Sequence, residues 1–231
     1  MPADLSTGQN GAGPASAKNP EVAALTLHRR LLLAGIAGPI VAWGLTVVVI
    51  VGWPGYDPIA QSISLLANAP LGWLQTVAFG VSGILEVAWA VGLVGVLGST
   101  PRDRRIVLSL LLLQSAITVA FAIFPTDPGA RALTTIGKIH LANFYLYAVT
   151  LPLTLGAIAV VMRRDPRWQG SVRPTQLAAV LLVVSTFLVP LTLEGPLTPW
   201  LGLLERIYVA IPSVWQVAVA VRSLRLLRTT S

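Results

Sequence analysis

The chain has 231 residues, 55% of them hydrophobic and 11% charged, and its net charge is +7. A soluble domain would not be this apolar, so lipid is the expected solvent for most of the chain, and the positive balance, explained by orientation in a membrane, calls for no nucleic-acid partner. With no cysteine and only His28 and His140 as imidazoles, disulfides, thiolate nucleophiles and Cys-ligated metals are excluded, and no metal or cofactor is expected.

Residues 1–25, rich in Gly, Pro, Ala, Ser and Asn, lack the apolar density to fold and read as a disordered cytosolic tail. The Ala15-Ser16-Ala17 triplet precedes the first apolar run instead of following it, so this tail is not a signal peptide. Residues 26–228 read as one membrane domain with six apolar runs, at about 31–52, 73–97, 106–124, 137–162, 176–194 and 206–222. Each is near the roughly 20 residues that cross a hydrocarbon core. The runs lack dyad alternation, and a helix satisfies every backbone amide within its own segment. The expected fold class is therefore all-α, a bundle of six transmembrane helices.

Charge orients the bundle. Of the 16 basic residues, only Arg131, Lys138 and Arg206 fall in the links on one side. Lys18, Arg29, Arg30, Arg102, Arg104, Arg105, Arg163, Arg164, Arg167, Arg173, Arg222, Arg225 and Arg228 lie on the other. The positive-inside rule makes the basic side cytoplasmic, with both termini in the cytosol of a multi-pass plasma-membrane protein. The outer links carry proline beside an acid: Asp57-Pro58, Asp127-Pro128 and Glu194-Gly195-Pro196. In the first of them, Asp57 followed by Pro58 reads as a helix start, with Ile59, Ile63 and Leu66 on one face, which predicts a short amphipathic helix at the interface.

Several side chains along the runs invite chemistry. Glu86 lies 13 residues beyond Trp73, about 20 Å along a helix and past the midplane. An unpaired charge there costs at least about 2.5 kcal/mol, so Glu86 reads as a proton-handling or ligand-pairing group. His140, Asn143 and Tyr147 recur at helical spacing in the fourth run, and Glu205, Tyr208 and Gln216 share a face of the sixth, with Arg206 at its boundary. With Asp57, Asp127 and Glu194 at similar depth, these groups can form an acidic pocket with one histidine, opening outward. Glu86, Asp127 and His140 are its candidate acids and bases. Asp57, Ser62, Ser64, Asn143, Tyr147, Glu194, Glu205 and Arg206 are its candidate ligand contacts.

Three chemistries fit such a pocket. One is a Ser62 or Ser64 nucleophile with His140 as base and Asp127 or Asp57 as orienter, although no nucleophile-elbow motif is present. Another is metal binding by His140 with carboxylates, which lacks paired-His spacing. The third is acid catalysis on an isoprenoid-like substrate, with Trp89, Phe144, Tyr147, Tyr208 or Trp215 shielding a cation. Arg131 and Lys138 would suit a phosphate or carboxylate headgroup.

The run from Gly55 to Ser64, the Gly72-to-Gly83 stretch, and Phe124-Pro125-Thr126-Asp127 with His140 downstream resemble a bacterial six-span membrane family, domain-of-unknown-function family 998. That family is distantly similar to membrane proteins of the DRAM and Sfk type, which are tied to lipid handling. The resemblance implies a six-span fold in a bacterial inner or cell membrane and singles out Tyr56 as well as Asp57, Ser64, Asp127 and His140. Where members often place an acid after the Ile-Ser pair, this chain has Leu65 and Leu66. The functional expectation is binding or handling of a lipid or other amphiphilic small molecule. A small acid–base membrane enzyme of cyclase or hydrolase type and a proton-coupled transporter stand as alternatives. Oligomeric state is left open.

Overall fold

The computed structural model describes residues 20–98, 100–128, 133–193 and 195–229. They form α1 (Pro20–Val51), α2 (Gly72–Val96), α3 (Pro101–Ile123), α4 (Thr135–Arg163), α5 (Gln169–Leu193) and α6 (Leu201–Thr229), with 3-10 turns at Ser64–Asn68, Pro166–Trp168 and Thr198–Trp200. Six helices are long and apolar enough to cross a membrane. The chain is an all-helical, multi-pass membrane protein.

Every expected apolar run coincides with a helix, and α3 and α4 extend past the apolar part through polar first turns that are capped. Thr100 Oγ1 accepts the Asp103 amide at 3.1 Å and Pro101 fills the first turn of α3, where a missing N–H costs nothing. Thr134 Oγ1 does the same for the Gly137 amide at the start of α4, also at 3.1 Å. The first helix begins at Pro20, so the last residues of the expected tail are helical, while residues 1–19 lie outside the described residues.

The helices close a ring in chain order. Each packs on its sequence neighbours, and α6 completes the circle against α1. Trp89, Leu93, Leu155, Ile158, Met162 and Trp168 are fully buried in the main core. Trp89 meets Trp215 edge-on, with ring centroids 5.7 Å apart. Gly35 is what lets α1 lie against that indole, since a Cβ there would overlap the Trp89 ring. Large apolar side chains such as Ile40, Phe187 and Val214 point outward, as expected where the surrounding solvent is lipid.

The two ends of the ring differ in kind. At the basic end, Asp165 accepts from the Gly98 amide at 3.1 Å and is gripped by Arg167, whose Nη2 lies 2.7 Å away and also donates to the Val96 carbonyl. Arg164 pairs with Asp103 at 2.8 Å, and Arg222 donates to the Arg167 carbonyl. These bonds tie the α2–α3 and α4–α5 links to α6. Arg167 above all, with two amide donors behind it, holds the Asp165 carboxyl below the usual carboxylate range.

The opposite end carries link 52–71, and here the expected amphipathic helix is not formed. Residues 57–61 make a single turn, closed from the Gln61 amide to the Asp57 carbonyl at 2.8 Å, and a 3-10 turn follows. The reason lies in where the carbonyls and amides go. Those of Pro58, Gln61, Ser62 and Ile63 are taken by side chains of Tyr56, Glu205 and Arg206, so no helical ladder can propagate.

Candidate functional site

The link is latched to the first turns of α6. Asp57 Oδ1 accepts from the Ile59 and Ala60 amides at 2.8 and 3.3 Å, so it caps a single turn where its sequence predicted the start of a helix. The Tyr56 hydroxyl donates toward the Ser62 and Gln61 carbonyls at 2.7 and 2.9 Å and accepts from Arg206 Nη2. Arg206 Nη1 donates to the Pro58, Gln61 and Gly202 carbonyls at 2.7, 3.0 and 2.8 Å, while its guanidinium lies 5.4 Å over the Tyr56 ring. Glu205 accepts the Ile63 amide at 2.8 Å. Burial pushes the Tyr56 phenol up, and the neighbouring guanidinium offsets part of that rise. Gly202 makes the close approach possible, because a Cβ there would strike the Gln61 and Pro58 carbonyl oxygens.

A second polar knot joins α3 to α4. Asp127 accepts the Thr134 amide at 2.7 Å and its hydroxyl at 2.8 Å, which closes the connection between the two helices. Asn143 donates to the Ile117 carbonyl at 2.9 Å. His140 Nδ1 lies 2.8 Å from the Phe124 carbonyl. A carbonyl only accepts, so Nδ1 carries a proton, and in the neutral form of the ring Nε2 is the acceptor. The nitrogen that a catalytic triad would turn toward a carboxylate is thus turned toward backbone.

Two cavities receive the remaining candidates. A terminal cavity of about 260 Å³ lies between α4, α5, α6 and link 52–71, with Ser62, Ser64, His140 and Glu205 near the link and Tyr208, Phe144, Leu188 and Ile207 below them. Ile207 also borders an apolar groove of about 600 Å³ between α5 and α6. Arg206 faces away toward the loop, and Lys138 is exposed. Among the described residues no Lys or Arg lines the terminal cavity. Glu194 and Arg131 lie outside the described residues.

The central cavity, about 140 Å³, is ringed by α1, α2, α3, α4 and α6 and holds Glu86. Thr118 Oγ1 reaches the Glu86 carboxylate at 3.4 Å, and Tyr147 lines the same space. The sequence places Glu86, His140 and Tyr147 together, and the structure separates them by depth. Seven residues divide His140 from Tyr147, so one helix face serves two cavities about 10 Å apart along α4. Asp57, Tyr56, Arg206 and Asp127 border neither cavity; all four hold loops. Gln114 and Thr118, one turn apart on α3, are site residues that sequence reasoning missed. Two polar side chains on one face of an apolar span were the available signal.

Comparison with known proteins gives a family and no nearer relative. No curated protein and no solved structure matches the chain. Residues 36–222 match the family described as protein of unknown function (DUF998). That match runs from within the first span into the last, over the six apolar helices and both cavities, and the chain belongs to this family.

Proposed function

We propose that this protein binds a lipid or similar amphiphile, with the headgroup in the terminal cavity and the chain in the α5–α6 groove. The observation that carries this reading is the mixed lining of the terminal cavity: the hydroxyls of Ser62, Ser64 and Thr126, an imidazole and a carboxylate beside aromatic and aliphatic side chains, with an apolar groove that Ile207 also borders. Sites of this kind take their orientation from a few polar groups and their affinity from apolar area. The lining carries Glu205 and no described cation, so it suits a neutral or cationic headgroup better than a phosphate. The basic end is assigned to the cytosol by the positive-inside rule, which opens this cavity toward the outer leaflet.

A photo-crosslinking amino acid at Phe144 tests the reading. It should capture a lipid with a defined headgroup, whereas the same group at Leu153, exposed on α4, should capture bulk lipid. Identical lipid mixtures at both positions would contradict it. An enzymatic reading rests on one feature, the His140 Nε2 acceptor sharing a cavity with the Ser62 and Ser64 hydroxyls. It requires a product formed by the wild type and lost in His140→Gln while lipid capture persists.

A further inference from the structure

The central cavity lies deeper than the terminal one and shares no lining residue with it. Five helices line it, and Ile63, 5% exposed, borders it from link 52–71. From these features we infer that it is a separate binding site for a small organic cation, an alkylammonium or arylammonium, with Glu86 as counter-charge.

The sign of the ligand follows from the lining. Glu86 is a carboxylate in a space that no described Lys, Arg or His enters, and an unpaired charge within a bundle costs several kcal/mol. A proton or a cationic partner must therefore accompany it. Gln114 supplies the second observation. It is fully buried, its Nε2 donates to Thr150 and Thr154 at 2.8 and 3.3 Å, and its Oε1 has no partner. Its orientation is fixed, because both threonine hydroxyls already donate to carbonyls one turn back at 2.7 and 2.8 Å and can only accept from Gln114. The open acceptor on Gln114 thus asks for an N–H or O–H donor, which a halide or carboxylate lacks, while the positive charge of the guest follows from Glu86.

Shape and ring chemistry agree with this. Trp43, Tyr147 and Trp215 line the cavity, and aromatic faces attract desolvated cations by about 2 kcal/mol. The volume of about 140 Å³ is near the roughly 150 Å³ that admits a benzene-sized guest. One ring or a short branched amine fits; a phospholipid headgroup with its chains does not.

Calorimetric titration of the purified full chain with benzylammonium and with benzyl alcohol, its uncharged near-isostere, tests the assignment. Wild type should bind benzylammonium at least tenfold more tightly. Glu86→Gln should erase that preference and leave benzyl alcohol affinity within twofold. Leu204→Trp, which fills the terminal cavity, should leave benzylammonium binding unchanged, so failure here is separable from failure of the lipid reading. Equal affinity of the wild type for the two probes, or binding of neither, overturns the proposal without any variant. So does a preference that survives in Glu86→Gln.

Discussion

Arg206 illustrates what a single side chain does at the link end of this bundle. Its fork serves three carbonyls through one nitrogen and the Tyr56 hydroxyl through the other, and its plane lies over the Tyr56 ring. A lysine is a point charge without that geometry. Arg206→Lys should therefore release residues 57–64, with amide hydrogen exchange there speeding at least tenfold, about 1.4 kcal/mol of local stability, while exchange in α3 stays unchanged. Asp165 plays the matching part at the basic end. Its folded-state pKa is depressed, chiefly by Arg167, so its stabilising contribution is fully present above the unfolded value of 3.8 and is lost only as pH falls through the lower folded value. Asp165→Asn should cost about 1–3 kcal/mol at neutral pH by leaving donors unmatched. Thermal unfolding scans at pH 7 should show the loss, and a melting temperature unchanged from wild type would refute this role.

Among the elements, α4 shows best how much of the site could be read in the chain. Its polar stripe was legible from spacing alone, and His140 does line a cavity with Ser62, Ser64 and Glu205. Periodicity reports a face and not what packs at each depth, so Tyr147 was grouped with His140 although it belongs with Glu86. Link 52–71 was misread for a related reason. Its helix-start residues are real, since Asp57 caps a turn, but side chains on α6, nearly 150 residues away in sequence, take the carbonyls a helix would need. Local signals cannot register a competitor that distant. Asp127 is a candidate acid or base from its place in an outer link near His140, and in the structure its carboxylate closes the α3–α4 connection through Thr134. Thr134→Ala removes both the α4 cap and one Asp127 bond, and should lower stability by about 1 kcal/mol, read as a drop in melting temperature that Thr134→Ser largely restores.

At the scale of the whole molecule, hydropathy and charge carried the fold. Six apolar runs became six helices because a helix satisfies its own backbone in lipid, and among the described residues Arg164, Arg167 and Arg222 meet at one end of the ring. The native absence of cysteine makes sidedness simple to measure. Asn68→Cys in intact cells should react with an impermeant maleimide, and Gln169→Cys should react only after lysis; the reverse pattern would invert the orientation assigned above. What hydropathy could not show is that the ring encloses two spaces of different character, because enclosure depends on which helices meet. The amphiphile reading stands on the terminal one. Native mass spectrometry of the protein purified in mild detergent addresses it most directly: wild type should retain one molecule of a lipid with a neutral or cationic headgroup, and Leu204→Trp, still folded, should lose it. A wild type that carries no lipid, or a Leu204→Trp variant that keeps the same one at the same occupancy, would contradict the account.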